Sequence, residues 1–565
     1  MNGTSAISAT SGKPVRPAVA PVAIVGAGPV GLSLALGLAR QGVHSTVLER
    51  KRSTSEHSKA PGIHVRTREI LRQWGVEEPF LAAGELLSDF SLHSAHPGHR
   101  PLLHVNFSCL ADDAAQPGIL ILEQGRTEAL LLEAVRASGW CDVQFGAEVV
   151  GLRADRDGVR LTVRHDGDAA DAADEGGGRR PVDASFLDAS FLVASFLDAS
   201  LVVGCDGANS FVRDALALPF EGFTYALYPM LADVRVDDER DRLPWPRAWT
   251  GAGGLTAAIR LRPALWRIIR LERGAPAGGG DVAEQEVRAR VAEVLGAGPA
   301  EVVWASRFRI HRRAVSRFRH GRVLLAGDAA HIHSPVGGQG MNAGIQDAHN
   351  LAWKLAAALD GGDADRLLDS YDVERRAVVV GTVSRSTDLA TRVLLQSPAL
   401  VRAGAVALMR GVLAVPRLRT MALRRAAMLN LRYPPSALLD DRERAAGVRV
   451  PNPLLRTPEG GAVRLHDLLG AAPVLLDVAD DRAFDLDLPV ADVAGVAGVI
   501  RIGAGAHQDP TRSLRRLLGG QDGWILVRPD GYVSWARHRP EGMRAAVEHA
   551  LGRPAGELAE RGAAT

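Results

Sequence analysis

Residues 322–359 read RVLLAGDAAHIHSPVGGQGMNAGIQDAHNLAWKLAAAL, a buried strand joined to a long helix through a glycine-rich loop. Val323 to Ala326 is a short apolar run, as expected of a strand covered on both faces. Gly327 and Asp328 follow, then a loop with Pro335, Gly337, Gly338 and Gly340. From about Met341 and Asn342 a helix is expected, because Ile345, Ala348, Ala352, Leu355 and Leu359 recur at three- and four-residue steps. Glycines let a backbone approach a ligand closely. A helix start offers unpaired N–H groups and a partial positive charge. The stretch therefore predicts a site for an oxygen-rich ligand, against the plainer alternative of a tight connection inside an α/β domain.

Pro21 to Gly26 is a second short apolar strand. Gly26, Gly28 and Gly31 complete a G-x-G-x-x-G that enters a predicted helix, Leu32 to Arg40. A further strand, Ser45 to Leu48, ends at Glu49, 23 residues beyond Gly26, with Arg50 beside it. In this context the first glycine permits a tight turn, the second lets pyrophosphate meet backbone, and the third lets helix and strand pack closely. The acidic residue suits the hydroxyls of a ribose. Nucleotide binding follows, and the motif alone fits FAD or NAD. Residues 58–74 read as a loop entering a helix, where Lys59 and Arg66 can reach phosphates or simply solvate a helix start. Gln124 stands before the first turn of another helix, placed to face a ligand or to cap. A third strand, Leu201 to Gly204, leads into Cys205, Asp206, Gly207 and, further on, Ser210 and Arg213. With no base nearby in sequence, Cys205 reads as packing rather than as a nucleophile.

The 565 residues are 46% hydrophobic and 23% charged, a globular composition, and the net charge of +2 argues against a general nucleic-acid binder. Cys109, Cys141 and Cys205 fit no disulfide or zinc spacing, and His331 and His333 lack a third ligand, so no metal site is expected. The cysteine usage suits a reducing cytoplasm, and the first 20 residues lack the layout of a signal peptide and read as a disordered tail. Residues 166–200 run from an acidic, glycine-rich segment into ASFLD-ASFLV-ASFLD-AS. A five-residue period aligns Phe186, Phe191 and Phe196 on neither a strand nor a helix face, so the segment reads as a low-complexity insertion. Residues 223–272 are strand-rich and carry Trp245, Trp249 and Trp266, suggesting a sheet over a pocket, where Tyr225 or Tyr228 serves a phenol or the core. A helix is expected over 282–295, with Val287, Val291, Val294 and Leu295 on one face. Residues 363–432 read as mostly helical, and the apolar, arginine-bearing run 399–428 as a core or dimer helix in preference to a membrane-surface one. Residues 448–565 read as a separate α/β unit with a hairpin at Asp530-Gly531.

Taken together, GAGPVG with Glu49, GCDGANSFVR at 204–213 and GDAAHIHSPVGGQGMNAGIQDAHNLAWKL at 327–355 resemble the FAD-dependent aromatic hydroxylases. These are the single-component flavoprotein monooxygenases typified by p-hydroxybenzoate hydroxylase. The resemblance runs in order from about residue 21 to 375. The remainder resembles the longer branch with a thioredoxin-like C-terminal domain, as in phenol hydroxylase and the hydroxylases of actinobacterial aromatic polyketides. With no cysteine after 205, that domain has no thiol chemistry.

The resemblance implies an α/β fold with a Rossmann-like FAD-binding domain over 21–87, 121–220 and 304–375. A β-sheet substrate domain is inserted at 88–120 and 221–303, a helical segment covers 376–440, and a thioredoxin-like domain covers 441–565. It implies Glu49 on the adenosine ribose, Gln124 against the flavin linker, and Asp206 and Gly207 between the FAD and nicotinamide pyrophosphates. It further implies Asp328 on the ribityl chain, Pro335 near the reacting edge of the ring, and Gly340, Met341 and Asn342 presenting backbone to the pyrimidine end. The family usually has arginine where this chain has Lys59, which keeps the charge but loses the bidentate fork. The implied reaction is NAD(P)H-driven hydroxylation of a phenolic, polyketide-like substrate by O2 through a flavin C4a-hydroperoxide. Baeyer–Villiger insertion and flavin binding without turnover are the alternatives. No nucleic acid or stable membrane association is expected, and a homodimer is compatible with the pattern.

Overall fold

The computed structural model describes residues 19–55, 60–94, 101–165, 194–243, 245–251, 254–273, 282–296, 298, 300–439, 443–480 and 496–553. Lys59, most of the N-terminal tail and residues 166–193, with Phe186 and Phe191, lie outside them.

An eight-stranded sheet carries the quoted stretch. Its central order is Arg319–His320, Val323–Leu325, Ala194–Gly204, Ala20–Val25, Ser45–Glu49 and Cys141–Phe145. The strands ending at Leu325, Gly204, Val25 and Glu49 are parallel neighbours, and Leu325, Gly204 and Val25 share one register. Helices cover this part of the sheet, so its strands are apolar on both faces, with Val22, Ile24, Val203 and Leu324 fully buried. The helices Pro29–Arg40 and Gly340–Leu359 pack together so tightly that a Cβ on Gly37 would lie 2.8 Å from the Ala352 Cβ.

One expectation shifts here. The third strand begins at Ala194 rather than Leu201, and its first half pairs antiparallel with Val159–His165. The last ASFLD copy is therefore strand, because it meets the edge of a preformed hairpin that its five-residue period does not reveal. Phe196 stays on the outer face, with the Arg160 guanidinium 6.0 Å from its ring centre.

A second, seven-stranded sheet has the order Ala300–Arg307, Leu227–Val236, Leu265–Arg273, Gly254–Arg262, Arg247–Gly251, Asp89–Ser94 and Leu103–Asn106. Two distant segments thus join through the parallel pairing of Arg247 to Thr250 with Ser91 to Ser94. Helix Glu284–Leu295 closes one face, burying Val287, Val291, Val294 and Leu295 with Trp266.

The helices Ala364–Arg376, Ser384–Thr391, Ala399–Ala414 and Pro416–Ala426 follow. The run 399–414 is not a core helix: among its described side chains only Val406 and Leu413 are buried. Apolar residues spread around this helix, but the body of the protein covers only one narrow seam of it. Among the described residues, no helix is long and apolar enough to cross a membrane.

The C-terminal unit is a mixed sheet in the order Gly498–Gly503, Val474–Ala479, Gly523–Val527 and Val533–Arg537, with Asp530-Gly531 between the last two strands. That turn is buried against the long helix. Arg528 donates to both Glu374 oxygens at 2.7 and 2.8 Å, Lys354 Nζ donates to Glu374 at 2.8 Å, and Asn350 donates to Asp530 at 2.9 Å.

Candidate functional site

The three motifs meet where strands end. In an open parallel sheet that edge, outside the carboxyl ends of the strands, is where ligands bind. Gly26 has φ +105°, and a Cβ there would lie 2.6 Å from the Cys205 carbonyl. On Gly31 a Cβ would lie 1.9 Å from the Gly26 oxygen, whereas on Gly28 it would meet nothing within 4 Å. The first and third glycines are thus demanded by packing and the second by open space. Glu49 is fixed by backbone on both sides, accepting from Ala27 N at 2.8 Å and Lys51 N at 2.9 Å. Arg50 is exposed next to it. Gln124 opens the helix Gln124–Ser138 and donates to Glu128, whose other oxygen accepts from Ser55 N at 2.7 Å.

Asp206 faces its own turn: it accepts from Ser210 Oγ at 2.6 Å and Val212 N at 3.1 Å. Burial pushes its carboxyl up. Gly207, at φ +81°, opens onto free space. Arg213 packs its guanidinium 4.2 Å from the centre of the Phe220 ring and reaches Ala329 O at 3.5 Å, linking this motif to the Gly-Asp pair. Cys205 is buried, which pushes its thiol up and leaves it unsuited to nucleophilic work.

At the quoted stretch, Asp328 is exposed between the buried Gly327 and Ala329. Beneath it lies a buried carboxylate, Asp347, that no spacing in the sequence marks. Asp347 accepts from Gly327 N at 3.2 Å, from His331 Nε2 at 2.6 Å and from Arg375 Nε at 2.7 Å. Burial alone would raise its pKa, but His331 and Arg375 outweigh burial and hold it below the ordinary carboxylate range. His333 stacks 6.3 Å from His331, and neither of its ring nitrogens has a hydrogen-bond partner among the described residues. Burial pushes its pKa down to about 3.

The loop before the long helix is clasped from the side. Asn342 accepts from His64 N at 2.8 Å and donates to Gly62 O and Gly338 O, both at 2.8 Å. His64 Nε2 donates to Gly337 O at 2.8 Å, since a carbonyl can only accept. Burial pushes the His64 pKa down, against the opposing pull of its backbone partners Gly337 and Gly338. Pro335 is exposed, and its carbonyl accepts from Gly338 N at 2.9 Å. The helix then starts at Gly340 with no side-chain cap, and the helix at Pro29 starts from Gly28 in the same way. Other helices also begin without a side-chain cap, as at Val65 and Gln124, whereas Asp363 and Ser210 cap theirs. The starts at Pro29 and Gly340 stand out by position: they lie side by side, a Cβ on Gly344 being 2.5 Å from the Val30 side chain, and leave first-turn amides to a ligand at the strand ends.

Arg66 does not serve a phosphate. It is buried, bonded to Glu69 and to the Asp530 carbonyl of the C-terminal hairpin. Tyr225 is buried as well and donates to Asp388 at 2.7 Å, so its hydroxyl is occupied. Among the described residues no group of three or more His, Cys, Asp or Glu side chains is arranged for a metal.

Known proteins agree with this geometry. Residues 19–386 match the family described as FAD binding domain, and 443–554 match the one described as aromatic-ring hydroxylase, C-terminal. The chain belongs to the FAD-dependent aromatic-ring hydroxylases. It is 34% identical over 535 residues to the 12-dehydrotetracycline 5-monooxygenase/anhydrotetracycline 6-monooxygenase of Streptomyces rimosus, covering 91% of this chain and 94% of that one. Among solved structures, CabE, an aromatic hydroxylase from angucycline biosynthesis, is 31% identical with a TM-score of 0.74, covering 95% of this chain and all of the other. The OxyS anhydrotetracycline hydroxylase of Streptomyces rimosus is 33% identical with a TM-score of 0.72, covering 94% of this chain and 99% of that one. The protein is accordingly an FAD-dependent monooxygenase. Its residues fit FAD: two uncapped helix starts, bare glycines at 28, 207 and 340, and a fixed acid at the end of the second strand.

Proposed function

We propose that this hydroxylase consumes NAD(P)H and O2 to hydroxylate a phenolic, polyketide-like aromatic substrate. The observation that carries the reading is the meeting of the helix starts at Pro29 and Gly340 beside the Gly327 turn, where a Cβ on Gly344 would lie 2.5 Å from Val30 and 3.2 Å from the Gly327 Cα. Bound FAD supplies the redox chemistry, taking electrons from the nicotinamide and delivering one oxygen atom of O2.

The protein's part is holding, charge and shielding. Glu49 takes the adenosine ribose, the Gly28 turn takes the pyrophosphate with Arg50 beside it, and Gln124 serves the linker. Asp206 shapes the turn that offers Gly207 to the pyrophosphates, and Asp328 takes the ribityl chain. The amides of Gly340, Met341 and Asn342 meet the pyrimidine end, where the helix start favours negative charge. His64 and Asn342 hold those donors fixed, so little reorganisation is needed as charge develops. Val336, next to Pro335, packs with Tyr225, Leu227, Phe308 and Leu395, a wall that excludes water from the ring's side of the loop. In the same reading, 88–120 and 221–303 form the substrate domain and 441–565 a thioredoxin-like support.

The test is a panel of polycyclic phenols added to FAD-loaded protein with NADH or NADPH, following flavin reduction and product mass. An aromatic that speeds reduction and gains one oxygen on its ring supports the reading. A lactone product would replace it by Baeyer–Villiger insertion, and flavin left unreduced with every aromatic would remove it.

A further inference from the structure

The helix Ala399–Ala414 exposes what a soluble helix normally buries. Val401 and Leu408 lie seven residues apart and Leu400 and Leu408 eight, so these three share one side, with Met409 at its edge, and Leu400, Val401, Leu408 and Met409 are 85, 52, 71 and 44% exposed. Val406 and Leu413 lie on the other side and hold the helix to the protein. The next helix, Pro416–Ala426, extends the surface with Leu418 and Met421, and Val415 lies between the two. A patch of this kind marks an interaction site rather than ordinary surface.

Charge selects the occupant. From Leu389 to Leu439 the chain has eight arginines and no acidic residue, although the whole chain has 67 basic and 65 acidic residues. Arg392 and Arg424 are paired, with Asp388 and Asp113. Among the described residues Arg402, Arg410, Arg417 and Arg425 have no carboxylate partner. A second copy related by a two-fold axis would press this acid-free surface against itself, arginine towards arginine. An acidic protein would meet the arginines but needs its own apolar strip to cover Leu400 and Leu408. An anionic bilayer meets both demands, because apolar side chains enter the acyl boundary while guanidinium groups stay at the phosphates.

We propose that the helix pair 399–426 is an interfacial anchor that docks the enzyme on anionic lipid membranes. The docking is peripheral and reversible, and it would bring the enzyme to apolar molecules dissolved in the bilayer.

The test is flotation of the FAD-loaded full chain with vesicles of phosphatidylcholine alone or mixed with phosphatidylglycerol. Binding is expected to the mixture only, and to weaken as salt rises. The double variant L408E/M409E should lose it. The quadruple variant R402Q/R410Q/R417Q/R425Q should lower partitioning by about tenfold or more, given the contribution of each arginine near an anionic surface. All these residues are surface positions outside the flavin site, so retained FAD and an unchanged melting temperature confirm that both variants fold. No flotation with either lipid, equal binding to both, or variants that bind like the parent would overturn the proposal. So would a dimer in solution that L408E/M409E dissolves while vesicles are ignored, which would assign the face to a second copy.

Discussion

Gly26, Gly28 and Gly31 are one motif in sequence and three different constraints in space. A methyl group on Gly31 collides with the Gly26 carbonyl at 1.9 Å, while on Gly28 it finds open space. Gly31→Ala should therefore cost stability, by about 3 kcal/mol or more as overpacking against backbone, read as a lowered denaturant midpoint. Gly28→Ala should fold with the parent midpoint yet retain less flavin after desalting, since its methyl group occupies ligand space. Equal midpoints for the two variants would mean that the turn relaxes more than its geometry implies. Asp328 belongs with Gly28. It is exposed beside a buried frame, so Asp328→Ala should leave the apoprotein folded while severely weakening FAD retention. If that variant holds flavin through desalting as the parent does, the ribityl contact belongs to another residue.

The helix Gly340–Leu359 shows what could be read from sequence and what could not. Its apolar face and its glycine-rich entry were legible, because both are local: one is a period, the other a run of small residues. Asp347 was visible in the same stretch but not interpretable. Its partners Gly327, His331 and Arg375 come from the turn after a strand, a short strand and another helix, and no spacing links them. The His64–Asn342 clasp spans 278 positions and is equally silent in sequence. The fold class rested on short-range patterns, while the support beneath the cradle is made of long-range polar pairs. Those pairs make Asp347 testable at the scale of the element. Asp347→Ala leaves Arg375 buried with one partner fewer and releases Gly327, and removing one member of such a buried pair costs about 3–5 kcal/mol. The midpoint of chemical denaturation should fall by that amount and flavin retention with it. A variant that loses flavin at unchanged stability would instead make Asp347 a direct ligand contact.

Across the whole molecule, buried charge ties the C-terminal unit to the nucleotide domain. Glu374 joins Lys354 to Arg528, and Glu69 joins Arg66 to Arg449. Burial opposes ionisation of Glu69, but Arg449, His466 and Arg66 hold it at about 2. Two buried histidines sit at these junctions, His349 on the long helix and His466 against Glu69, and a third, His333, lies in the flavin loop. Burial, before any other cause, pushes each of them to about 3. A histidine depressed in this way takes up its proton near pH 6.5 when unfolded but not when folded. The unfolded chain thus binds more protons between pH 6.5 and 3, and stability must fall as pH falls through that window. Each histidine contributes about 1.4 kcal/mol per pH unit to the slope. Glu69 adds to it only below the ordinary glutamate range, near pH 4, as its folded state resists protonation down to about 2. Urea midpoints measured from pH 7.5 to 4.5 should therefore decline before Glu69 and the other depressed carboxylates titrate. His349→Leu should flatten the decline by one histidine's share, because it removes a group whose neutrality folding must enforce. Flavin release should track the same decline, since His333 lies in the cradle and His466 at the joint that steadies it. A midpoint that stays flat from pH 6.5 to 4.5 would mean that these rings carry their protons inside the fold, and would move the acid sensitivity of the enzyme onto its carboxylates.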